Sequence, residues 1–253
     1  MKVSLLLVLA GVGMTGHSSQ IPGQEPITGP AERGASPGFN QISVEAPVHV
    51  NLILGASGPV EISGPADEAR RVVLSTENAR LHVALSGSQP LAKPLTVTIH
   101  APFIEAITAS SGSLWKVKGL NASRFRIAAM MGSNVEVEGK SRDLTVGAYD
   151  SSHVTFGRVI GGSLNLTLYR DAKAKIVGEA GAVQVTSSFA SNADLSRLAA
   201  AYMDLNLNNA SVLKARVSGN VVGEAKKAST AVFAGNPTLS IRTRGGASIT
   251  TSP

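Results

Sequence analysis

The stretch "MGSNVEV", residues 131–137, opens on a tight Gly-Ser corner and runs into alternating apolar residues. "SGSLWKV" at 111–117 and "DSSHVTF" at 150–156 repeat the pattern on either side. Aligning the chain on the residue two before each apolar anchor gives Ser113, Ser133, Ser152, Ala172, Ser191, Ser211, Ser229 and Ala247. Their spacings are 20, 19, 20, 19, 20, 18 and 18. The anchors are Trp115, Val135, Val154, Ala174, Ala193, Leu213, Ala231 and Ile249. Further columns hold the same register. Val117, Val137 and Phe156 begin the one two residues on, and Ile107, Ile127 and Val146 the one eight residues back.

Four columns in register over eight repeats make a unit cell: a strand, a corner of small residues, and another strand. β-Branched residues, period-two alternation and glycine favour strand over helix. A period near twenty points to an all-β fold, a parallel β-solenoid with coils of about 19–20 residues, in which like stacks on like. At ~4.8 Å per coil, roughly eleven coils over 38–253 would make a rod about 50 Å long. The alternative is an antiparallel β-sandwich, since hairpin spacing can mimic a period. Five prolines from Pro47 to Pro94, then Pro102, are followed by none until Pro237. A proline-free run is what a continuous ladder requires. The domain 38–253 therefore divides into a less regular part, 38–105, and the repeats, 106–253.

Upstream, "MKVSLLLVLAGVGMTGHSSQ" has one lysine and an apolar run from Val3 to about Met14, too short for a membrane-spanning helix of ~20 residues. It reads as a signal peptide, 1–19, with Gly16 or Ser19 as the final residue. Residues 20–37 alternate proline and glycine and read as a flexible linker. These features imply an exported protein with no transmembrane segment in its mature chain: periplasmic, secreted or on the cell surface. The absence of cysteine excludes disulfides, thiolate metal sites and a cysteine nucleophile.

"GFNQISVEAPVHVNLILG" at 38–55 resembles the opening of the putative auto-transporter adhesin head GIN domain family, through Phe39, Ile42, Val44, Val48, Val50, Leu52 and Gly55. "LTVTIHAPFIEAITASSGS" at 95–113 is similar to that family's entry into its Ser-Gly repeats, and "FAGNP" at 233–237 to its closing segment. The resemblance implies a right-handed parallel β-helix-like fold in a bacterial envelope or secreted protein, and it brings no catalytic residues. The family's Ser-Gly-Ser-Gly-Asp corners have drifted here to forms such as "RDAKA" and "NNASV". The chain also ends in "TSP" without a membrane-barrel segment, so a self-exporting autotransporter is not expected.

No HExxH or G-x-S-x-G motif is present. His49, His82 and His100 sit in apolar runs and read, with His153, as strand histidines. Asp150 and Asp171, near neighbouring corners, read as solvated charges, with Arg170 and Lys173 flanking the second. Residues 106–253 carry 17 basic and 9 acidic residues, and 1–105 carry 6 and 8. The column Lys116, Glu136, Thr155, Lys175, Asp194, Lys214 nevertheless mixes signs, as a solvated face does. Lys226 and Arg244, which should stack, form a local basic cluster suited to an anionic contact. Tyr149 and Tyr169 fall in one outward column on adjacent coils, where their rings would lie side by side as a platform for a sugar or as a simple surface ladder.

The reading is a non-enzymatic envelope or surface module for adhesion or scaffolding, with no catalytic residue, metal or cofactor. A polysaccharide lyase or hydrolase is the alternative. Envelope polysaccharide or another surface macromolecule is the expected partner and nucleic acid is not; homo-oligomerisation stays open.

Overall fold

The computed structural model describes residues 38–252 and the backbone of a short strand, β1, at Ala31–Arg33. The signal-peptide and linker readings otherwise fall outside the described residues. The described residues are 68% strand and 2% helix and wind into a parallel β-solenoid of about seven turns.

The first part contains β2 (Gln41–Glu45), β3 (His49–Leu54), β4 (Val60–Ser63), α1 (Ala66–Ala69), β5 (Val72–Glu77), β6 (Arg80–Leu85) and β7 (Thr96–Ala101). The repeats contain β8 (Ala106–Ser110), β9 (Leu114–Ala129), β10 (Asn134–Tyr149), β11 (His153–Ile160), β12 (Ser163–Tyr169) and β13 (Lys173–Ser188). They continue with β14 (Asn192–Asn208), β15 (Val212–Val217), β16 (Asn220–Lys226), β17 (Thr230–Ala234), β18 (Thr238–Arg244) and β19 (Ser248–Thr251). Every pairing among β8–β19 is parallel, which overturns the antiparallel sandwich.

The anchor column is realised rung by rung, from Trp115 beside Val135 to Ala231 beside Ile249. The column eight residues back is equally complete, from Ile107 to Ile241. Strands leading into the serine corners form one face, here the approach face, and strands leaving them form the exit face. β9, β10, β13 and β14 run from the exit face of one rung to the approach face of the next, with a register shift in between. Gly139 sits at one such shift with φ +142°, where a Cβ would lie 2.3 Å from the Leu120 carbonyl oxygen. Only a residue without that atom lets the strand bend there.

Each corner is a pair of residues in left-handed conformation, such as Met131–Gly132, Asp150–Ser151 and Asn209–Ala210. This is the φ pattern of a type I′ turn. Non-glycine residues at such angles cost roughly 1–2 kcal/mol each. The cost is offset because corner N–H groups bond to the next corner, as Ser151 N does to Arg170 O at 2.8 Å and Asp171 N to Phe189 O at 2.9 Å. The corner serines Ser113, Ser133, Ser152, Ser191, Ser211 and Ser229 are fully buried. Ser133 Oγ donates to Met130 O at 2.8 Å, and Ser191, Ser211 and Ser229 repeat that bond to the carbonyl three residues back. Ser113 instead accepts the indole N–H of buried Trp115 at 3.0 Å. Apolar side chains fill the space between the two faces as one cluster.

The first part departs from the expected coils. β2 pairs with β6 on one side and β8 on the other, and β3 likewise lies between β7 and β9. The earliest rung in the chain is therefore second in the stack. β4 and β5 run antiparallel on β7 and β6, and β1 lies antiparallel on β4. Residues 55–79 thus cover the end of the solenoid instead of adding a coil, and the solenoid has about seven turns where eleven coils were expected. Pro59, Pro65, Pro90 and Pro94, none able to donate to a ladder, fall in the interrupted stretches. Glu68 of α1 ties this cover down. Its carboxylate accepts the Ala92 N–H at 2.9 Å and pairs with Arg71 at 2.7 Å, and the Arg71 guanidinium also donates to Gln89 O. The Ala92 bond first, and then Arg71, hold the Glu68 carboxyl below its ordinary range, against partial desolvation.

Candidate functional site

Three outward columns run along the approach face. The first is Arg80, Gln41, Ala106, Arg126, Thr145, Asn165, Gln184, Asp204, Val222 and Ser240. The second includes Thr108, Ala128, Gly147, Thr167, Thr186, Asn206, Glu224 and Arg242. The third, beside the corners, carries Tyr149, Tyr169 and Ser188, and further on Lys226 and Arg244. Alternation drives their inward neighbours into the core and leaves these residues at the surface, one rung apart. The result is a flat polar face with few large side chains.

Tyr149 and Tyr169 are paired in register and half-buried, as their shared column requires. The two rings have different neighbours. The Tyr149 ring lies across Gly147, where a Cβ would meet its Cε2 at 2.8 Å. Tyr169 instead meets Phe189 edge-on at 4.9 Å between ring centroids, and the Arg170 guanidinium sits 4.9 Å from its ring. Phe189, 45% exposed at a corner with φ +57°, is part of this cluster that the sequence did not single out. Its signal was a large apolar residue in a corner position that, Met131 apart, is held elsewhere by small or polar ones.

Lys226 and Arg244 pair as expected, but a carboxylate stands between them. Lys226 Nζ lies 2.6 Å and Arg244 Nε 3.7 Å from the two oxygens of Glu224. The hydrogen bond from Lys226 holds the Glu224 carboxyl below its ordinary range against partial desolvation, and the charges of Lys226, Arg244 and Arg242 add to it. Nearby, an open hollow of about 500 Å³ is lined by Gln184, Thr186, Asp204, Asn206, Glu224 and Arg242.

The other candidates scatter. Asp150 is bound to Arg170 at 3.0 Å, and so is held as a corner ion pair. His49, His82, His100 and His153 sit on β3, β6, β7 and β11. Among the described residues no three His, Asp or Glu side chains stand close enough to hold a metal. Asp143 serves the fold. Its carboxylate accepts both N–H and Oγ–H of Ser163 in the next rung, at 3.0 and 2.9 Å. Hydrogen bonds from Arg142 and then Ser163 keep its carboxyl below the ordinary range. Among the described residues no helix is long and apolar enough to cross a membrane.

Several solved structures have a similar fold. A putative adhesin from Parabacteroides distasonis superposes with TM-score 0.79 at 14% identity, over 88% of this chain and 95% of that one. A putative adhesin from Parabacteroides merdae gives 0.79 at 12%, over 89% and 95%. A putative lipid binding protein from P. distasonis gives 0.67 at 13%, over 88% and 97%. At these identities the likeness shows the fold alone. A search of curated proteins found no match. The profile described as "Putative auto-transporter adhesin, head GIN domain" matches residues 38–237, the span from the first solenoid rung to the corner after β17. The chain therefore belongs to the putative auto-transporter adhesin, head GIN domain family.

Proposed function

We propose that this protein is an exported, non-enzymatic surface module that works by contact, in adhesion or scaffolding, with the approach face as its contact surface. The observation that carries the reading is that face itself: three in-register outward columns from Arg80 to Arg244, polar, with half-buried Tyr149 and Tyr169 and exposed Phe189 at the corners. Family membership and the apolar N-terminal run support export. The ligand class the face suits is an extended envelope polysaccharide. Tyr149, Tyr169 and Phe189 offer apolar rings to sugar faces. Asn165, Thr167 and Gln184 offer hydrogen bonds to hydroxyls, and Lys226 with Arg244 offers an anion contact.

The test is a glycan array with the mature protein, its oligomeric state read on a sizing column. A Tyr149→Ser, Tyr169→Ser variant is run in parallel and its fold checked by circular dichroism. Retention lost in the folded variant supports the reading. Retention unchanged in it rules out the tyrosines as contacts, and an array blank for the wild type overturns glycan contact altogether.

A further inference from the structure

At the capped end of the approach face, the stacking of β6 and β2 beneath β8 brings together residues far apart in sequence. Arg80, Gln41 and Arg126 stand in one column, and all three line an open hollow of about 310 Å³ with Tyr149, Thr108 and Thr145. The small residues Ala106, Ala128 and Gly147 make its floor, and the Tyr149 ring lies over the last of them. Arg80 is oriented by Gln41, whose Oε1 accepts from Nε at 3.2 Å and from Nη2 at 2.7 Å. Among the described residues, no carboxylate lies within ion-pair distance of Arg80 or Arg126. This sets them apart from Lys226 and Arg244, which share Glu224.

Two cations without acid partners, an apolar ring and threonine hydroxyls around one shallow hollow amount to a recognition pattern. A guanidinium binds a carboxylate through paired N–H donors. An aromatic face takes the C–H face of a pyranose, and hydroxyl and amide groups bond its hydroxyls. We propose that this hollow is a subsite for a carboxylated sugar, a uronic-acid unit of an acidic polysaccharide, with Arg80 and Arg126 on the carboxylate and Tyr149 under the ring. The assignment rests on the glycan-contact reading above and adds the charge of the ligand and the place where that charge is read.

The probe is a galacturonate hexamer, titrated calorimetrically against the mature protein beside its methyl ester, which keeps the sugar and removes the charge. The wild type is expected to bind the acid at least tenfold tighter than the ester. R80Q/R126Q should lose that preference and bind both forms equally. K116Q/K175Q, which removes the same charge from the exit face, should keep it. Equal loss in the two double variants would reduce the effect to net charge and overturn the subsite, as would equal wild-type binding of acid and ester. Tighter binding of an oligothymidylate than of the acid hexamer would overturn it in favour of nucleic acid. Array retention of neutral glycans with no preference for the acid sinks this inference alone. A blank array with no hexamer binding sinks the parent reading too.

Discussion

The hairpin β5–β6 and the solenoid corners use the same turn for different ends. At the hairpin, Asn78 and Ala79 adopt φ of 50° and 59°; at a corner such as Asn209–Ala210 the angles are 51° and 60°. After the hairpin turn the two strands bond to each other, Glu77 opposite Arg80. After a corner they part across the core, and each bonds to the rungs above and below. The turn reverses the chain in both cases and does not choose the partner. What chooses is the side chains that follow. β5 buries only Val72 and can lie flat on β6 as a surface strand. The strands leaving corners bury every second residue, and only a strand on the far side of a common core satisfies that.

The same contrast separates the two parts of the domain. In the repeats, chain order and stacking order coincide. In 38–105 they do not, yet Ile42 and Val44 align with Ile107 and Ala109 as if they were another repeat. Column register is thus a property of inward side chains and survives a change in connectivity.

Trp115 is where the comparison breaks most visibly. It is the first anchor of the repeats, it pairs with Val50 of the first part, and it is 2% exposed. Trp115→Ala should cost about 3–5 kcal/mol in urea unfolding. A loss below ~1 kcal/mol would mean that the two parts do not share a core at this rung.

Within the repeats, corner and face should separate cleanly. Ser133 has no exposed surface and donates to Met130 O, so Ser133→Leu should overpack the corner and cost about 1–3 kcal/mol. Glu136→Gln, on the outward exit face, should cost under ~0.5 kcal/mol. Equal urea midpoints for the two variants would contradict the assignment of one as corner and the other as face.

The repeats were legible because each rung writes the same code. A small corner residue two before an inward anchor fixes face and register together, and all eight anchors fall where the spacing puts them. The first part was not legible in the same way. Period reveals which residues share a column, but it carries no information on which rung lies above which, and prolines mark interruptions without saying where the chain goes next. The candidate site follows the same division. The shared column of Tyr149 and Tyr169 could be read from spacing. The ring directions could not, since they depend on the bare floor at Gly147 and on Phe189 from the next corner. The meeting of Arg80, Gln41 and Arg126 was hidden altogether, because it exists only where the out-of-order rung joins the ordered ones.

The central claim, that residues one unit apart stack one rung apart in parallel, can be measured along a single outward column. Lys116, Asp194, Lys214 and Thr250 belong to one unbroken ladder on the exit face. The chain has no native cysteine, so spin labels attach only where cysteines are introduced. Double electron–electron resonance from Lys116→Cys to cysteines at 194, 214 and 250 should give backbone separations of about 19, 24 and 34 Å, rising by ~4.8 Å per rung. Separations that fail to grow with repeat number, such as a 116–214 distance shorter than 116–194, would contradict the parallel stack.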